Sequence, residues 1–124
     1  MDVMGNPLVL GVTTADVTDR DGAVKAMEAD TDELERLQKL LVDGGYTGEK
    51  FAGAVQGLLG DVAVEVVKRS ELHTFAVIPK RWIVERTFGW LDRYRRLWKN
   101  CERLLNTTSQ MVTLAFISVL IRKF

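Results

Sequence analysis

Three acidic residues carry the chemistry open to this chain. Asp2 lies in Met1-Asp2-Val3-Met4-Gly5, just ahead of the apolar run Leu8-Val9-Leu10. Asp43 closes Leu40-Leu41-Val42 and opens Asp43-Gly44-Gly45-Tyr46-Thr47-Gly48. Glu85 sits within Trp82-Ile83-Val84-Glu85-Arg86-Thr87-Phe88-Gly89-Trp90-Leu91, an aromatic and basic helical pattern. Three carboxylates gathered from two strand ends and a helix can hold two divalent cations, which activate a water and stabilise a leaving oxygen at a phosphodiester. Acids are common, so their surroundings decide. An Asp at a strand end before paired glycines stands at the carboxyl edge of a sheet, where ligands gather in α/β folds. Read alone, it serves equally well as a turn or helix cap. Glu85 shares its helix face with Arg96, Lys99 and Arg103, and Arg81 and Arg86 are close in sequence. Alone, these are helix ion pairs worth a few tenths of a kcal/mol. Around a metal ligand they become phosphate-binding cations, with Gly89 allowing close approach on the same face.

The elements that must position these acids can be read along the chain. Pro7 to Thr14 is a short apolar run closed by polar residues and predicts a buried strand. Asp21 to Ala29 predicts a helix with acids near its N-terminus, where they favour the dipole. Residues 30–35 read as a loop with a short turn. Leu37 to Val42 predicts a strand ending at Asp43, with Gly44-Gly45 turning the chain sharply. Glu49 to Leu59 predicts a helix stopped by Gly60, and Val62 to Val67 a further strand. This alternation implies a three-layer α/β domain.

Lys80 to Leu104 predicts one long helix. Ile83, Val84, Thr87, Phe88, Trp90, Leu91, Tyr94, Trp98 and Cys101 fall on a broad core face, and Glu85, Gly89, Asp92, Arg96, Lys99 and Arg103 on the opposite face. Thr107-Thr108-Ser109-Gln110 matches a capping box. It predicts a last helix to about Lys123, with Met111, Leu114, Ala115, Ser118 and Ile121 facing the sheet.

At 124 residues the chain predicts a single domain, residues 1–124, and its 47% hydrophobic content is ample for a core. Cys101 is the one cysteine, so no internal disulfide can form, which suits a cytoplasmic protein. The sequence begins with no basic, apolar leader. The longest apolar stretch, Met111 to Ile121, is too short to cross a bilayer, which takes roughly 20 residues. His73 reads as a surface residue. Net charge is zero, yet residues 1–67 hold 5 basic and 13 acidic residues while residues 68–124 hold 12 and 4. Balances of −8 and +8 point toward nucleic acid or self-association. Asp16, Asp19 and Asp21 lack the spacing of a calcium loop and read as turn and helix-start acids.

Two stretches carry a family resemblance: Val42-Asp43-Gly44-Gly45-Tyr46-Thr47-Gly48, and Pro79-Lys80-Arg81-Trp82 through Leu91. Asp16 to Ala23, Tyr94-Arg95-Arg96-Leu97 and Glu102-Arg103-Leu104 add to it. With these, essentially the whole chain resembles the catalytic domain of DDE transposases of bacterial insertion sequences, particularly the insertion-sequence-five family. Two departures stand out against the related insertion-sequence-four signature: Arg81 fits its Arg, while Ile78 and Asp92 stand where Tyr and Lys would be. Val3 follows the first acid where Thr is common.

The resemblance implies a ribonuclease-H-like fold with an incomplete first strand and two C-terminal helices. It implies Asp2, Asp43 and Glu85 as catalytic metal ligands for two Mg²⁺ or Mn²⁺ ions, with Lys80, Arg81, Arg86, Arg96 and Lys99 on DNA. The reaction it implies is metal-dependent DNA strand cleavage and strand transfer, in a nucleoid-associated protein of the bacterial cytoplasm. DNA is the expected partner, together with an upstream-frame transposase segment or a second copy, and no membrane. The competing expectation is a non-catalytic remnant or inhibitor that binds DNA or a transposase. Because the sequence starts one residue before the first acid, it reads as a downstream frame or truncated piece.

Overall fold

The strand-helix-strand unit at the centre of the sequence follows the expected order closely. In the computed structural model, which describes residues 1–67 and 81–123 apart from the side chains of Arg81 and Trp98, β1 spans Lys39–Asp43 and β2 spans Ala63–Val67. They pair in parallel, Lys39 opposite Ala63 and Asp43 opposite Val67. The crossover contains α2, Glu49–Leu59, preceded by Gly48 at φ 121° and ended by Gly60 at φ 73°. Both angles favour glycine, so the sequence sets where this helix starts and stops. Ahead of the strands lies α1, Asp19–Ala29, then a 3-10 turn at Asp32–Leu34. Thr18 caps α1: its hydroxyl accepts from the Asp21 amide. That cap starts the helix at Asp19, two residues before the expected position, and puts Asp19 and Asp21 in the first turn.

Two compact units emerge. One contains residues 15–67; the other contains residues 1–14 and 81–123. In the first, Met27, Leu34, Phe51, Val55 and Val62 are buried. The exposed face of β1 carries Lys39, Leu41 and Asp43, and Leu40 and Val42 are half-buried on the other. Lys39 forms an ion pair with Glu65 across the strands.

The second unit corrects several expectations. The run from Pro7 to Thr14 is not a strand; an apolar run becomes one only where a neighbour takes its backbone hydrogen bonds, and among the described residues none pairs with it. The long helix is broken into α3, Arg81–Leu91, and α4, Arg95–Trp98, so residues 81–123 hold three helices instead of two. Tyr94 is extended between them, and its amide bonds back three residues to the Leu91 carbonyl. That tight final bond ends α3. The core face of α3 is narrower than its aromatics suggest. Ile83 and Thr87, one turn apart, are buried, whereas Trp82, Val84 and Phe88 are exposed. Cys101 is also exposed and lies outside any helix.

The last helix, α5, spans Leu105–Lys123 and packs on α3 and α4. It begins before the supposed capping box. Thr108 is buried inside it, and its hydroxyl donates to Asn100 Oδ1 at 3.2 Å or to the Leu104 carbonyl at 3.3 Å. Thr108, Ala115 and Phe116 are its buried residues, while Leu114 and Ile121 point to solvent. A helix apolar around most of its circumference does not reveal its buried side from periodicity. Among the described residues no helix is long and apolar enough to cross a membrane.

Candidate active site

Asp2 organises the loop that contains it. Its Oδ1 accepts from the amides of Met4 (2.8 Å) and Asn6 (2.9 Å), and its Oδ2 accepts from Asn6 Nδ2 at 3.0 Å. The Asp2 amide donates to the Asn6 carbonyl, and the Gly5 amide to the Asp2 carbonyl. Asp and Asn favour such local side-chain turns. Burial alone would raise the Asp2 pKa, but these hydrogen bonds from Asn6 and Met4, with the nearby terminal ammonium, outweigh it and hold the carboxyl below its ordinary value. Among the described residues two hydrogen bonds fill Oδ1, and one leaves Oδ2 with a lone-pair direction to spare.

This loop is docked on α3, the helix that carries Glu85. The buried Thr87 hydroxyl lies 3.0 Å from both the Gly5 and the Ile83 carbonyls. Arg86 donates from its terminal nitrogen to the Met4 carbonyl at 2.8 Å. Its guanidinium lies 4.6 Å from the centre of the Trp82 ring and 4.8 Å from that of Trp90. From the end of α5, Lys123 donates to Asn6 Oδ1 at 3.1 Å and stands 4.2 Å from the Trp90 ring centre. The sequence did not single out Gly5, Asn6, Thr87 and Lys123 as the residues that hold the Asp2 loop. The signal available was Gly5-Asn6 soon after an acid, the composition of a turn.

In the other unit, Asp43 stands at the carboxyl end of β1, as expected, and also caps the turn that follows it. Its Oδ1 accepts from the Gly45 amide at 2.9 Å. Gly44 and Gly45 do not take positive φ, so backbone freedom is not their role. A Cβ on Gly45 would lie 3.1 Å from Asp43 Oδ1, so glycine there makes room for the carboxylate. Arg20 of α1 donates to the Gly45 carbonyl at 2.8 Å. Tyr46 packs on Phe51, and burial, then the charges of Asp19 and Asp43, raise its phenol pKa.

Glu85 is exposed on α3, and Gly89 beside it faces open space. Arg96 is exposed and pairs with Glu102 at 2.7 Å. Lys99 is exposed just after α4. His73 and Lys80 lie outside the described residues, as does the Arg81 side chain.

Comparison with known proteins decides the family. A family model described as "Transposase DDE domain" matches residues 1–120. The chain belongs to the DDE transposase domain family. A curated relative, "Putative transposase for insertion sequence element IS402" of Burkholderia cepacia, is 31% identical over 111 residues, covering 82% of this chain. The match takes in 51% of that relative, so the chain spans about half its length. No solved structure matches. The mixed helices and parallel strands are those of an α/β fold.

The family implies a divalent cation. Among the described residues no three His, Cys, Asp or Glu side chains cluster to hold one. Asp2 and Glu85 belong to one unit and Asp43 to the other. The donors themselves suit a hard cation: among the described residues Asp2 is held below its ordinary pKa with Oδ2 partly open, and Asp43 Oδ1 accepts from the Gly45 amide.

Proposed function

We propose that this chain is the catalytic part of an insertion-sequence transposase, carrying out metal-dependent DNA strand cleavage and strand transfer on a single ribonuclease-H-like domain, residues 1–124. Asp2, Asp43 and Glu85 would hold Mg²⁺ or Mn²⁺, two ions in all. Bound there, the ions supply Lewis acidity to an in-line phosphoryl transfer. The observation that carries the reading is the docking of the Asp2 loop on α3, which places the first acid in the same unit as Glu85.

The chain's own groups divide the remaining work. Asp2 stays ionised through its amide donors, ready to meet a cation without a proton to lose. Arg96 and Lys99, exposed in and just after α4, take DNA phosphates, together with Lys80 and Arg81. Arg86 serves first as the anchor of the Asp2 loop, since its guanidinium is held by Met4 and two tryptophans. The test is cleavage and joining of end-labelled duplexes bearing the element's ends, with Mg²⁺. The expected result is nicked and joined product, lost in Asp43→Asn. Cleavage unaffected by Asp43→Asn would overturn the reading, and DNA binding without cleavage would favour a non-catalytic DNA-binding module.

A further inference from the structure

We infer that Asn6 is a positioning residue for Asp2 and that Lys123, at the end of α5, fixes which way the Asn6 amide faces. This rests on the reading of Asp2 as a cation ligand. A carboxamide has a donor side and an acceptor side, and an ammonium can only donate. Lys123 Nζ lies 3.1 Å from Asn6 Oδ1, so Nδ2 must face the other way, toward Asp2 Oδ2 at 3.0 Å. The cation stands 4.2 Å from the Trp90 ring centre, an attraction that restrains an otherwise mobile, exposed side chain. Asn6 therefore grips both oxygens of Asp2: its backbone amide holds Oδ1 at 2.9 Å and its side chain holds Oδ2. Met4 fills the remaining site on Oδ1. One lone-pair direction on Oδ2 is left, and Asn6 sets where it points. Hydrogen-bonding partners of a liganding carboxylate hold it in the orientation the cation needs, and their loss typically weakens metal binding 10- to 100-fold.

The experiment is calorimetric titration of the full chain with Mn²⁺, comparing Asn6→Ala, Lys123→Met, Lys123→Arg and, as reference, Asp2→Asn. Asn6→Ala should weaken binding about tenfold. Lys123→Met should weaken it severalfold with only the small fall in thermal midpoint that losing an exposed cation–π contact brings, and Lys123→Arg, which can still donate to Oδ1 and stack on Trp90, should restore it. A merely structural role would shift melting and leave the Mn²⁺ affinity alone. If Asn6→Ala does not fold, the exposed Lys123 pair decides. Unchanged affinity in Asn6→Ala and Lys123→Met, with affinity lost in Asp2→Asn, would overturn the positioning role and leave the site reading standing. Unchanged affinity in Asp2→Asn would remove the site reading itself, and this inference with it.

Discussion

Gly5 and Thr87 fit so closely that a Cβ on Gly5 would stand 2.6 Å from the Thr87 hydroxyl, the same hydroxyl that lies 3.0 Å from the Gly5 carbonyl. Gly5 also has φ 80°, a conformation that costs other residues about 1–2 kcal/mol. Gly5→Ala combines that strain with overpacking, so it should destabilise the chain by about 2–3 kcal/mol. Gly44→Ala, where no positive φ and no neighbour intervene, should change stability by less than about 0.5 kcal/mol. Urea unfolding of the two variants checks the contrast, and equal effects would show that the loop is not seated on Thr87.

Arg86→Lys keeps the charge and loses the planar group between Trp82 and Trp90. Lysine presents a compact ammonium that does not stack as a flat fork does. A loss of about 1–2 kcal/mol is expected in thermal unfolding followed by tryptophan emission. An unchanged midpoint would mean that the anchor is the Met4 hydrogen bond alone.

The Asp2 carboxyl is held below its ordinary value of 3.8, so its ionised form is favoured by folding. Its contribution is therefore complete above that value and is lost as pH falls through the lower folded value. Stability should decline with a component below about pH 4, and Asp2→Asn should flatten that limb while lowering stability at neutral pH. Acid titration of the folding equilibrium measures both, and an acid limb identical in the variant would assign it to other carboxylates.

How much of this was legible in the sequence depends on whether a local signal set the outcome. Strand β1 ending at Asp43, helix α2 and its stop at Gly60 are all local, and the structure has them where the residues predict. The Pro7–Thr14 strand failed because a strand needs a partner that no local pattern supplies. The break at Tyr94 was hidden because an aromatic-rich run has helical period whether or not it is continuous. The apolar faces of α3 and α5 are broader than their buried stripes, so periodicity did not reveal that Phe88, Leu114 and Ile121 are exposed. At the candidate site, the acids proposed as ligands stood out by type. Asn6, Thr87 and Lys123 did not, because their roles arise from hydrogen bonds that span 82 and 117 residues.

Arg96 and Lys99 are exposed on the proposed phosphate-binding surface. Replacing both with Ala should weaken duplex DNA binding and reduce the slope of log affinity against log salt by about 1 for each phosphate no longer neutralised. Arg96 is exposed but its partner Glu102 is largely buried, with 14% of its side chain accessible, so a small fall in melting temperature should accompany the change. Fluorescence anisotropy across a salt series checks this, and an unaltered slope would place DNA elsewhere on the chain.

Asp2, Asp43 and Glu85 are proposed to hold divalent cations together. Calorimetric titration with Mn²⁺ of the unmodified chain and of an Asp43→Asn, Glu85→Gln double variant tests it most directly. Saturable binding is expected for the unmodified chain and is lost in the double variant, with the fold of both verified by circular dichroism. Equal binding by the two would contradict it.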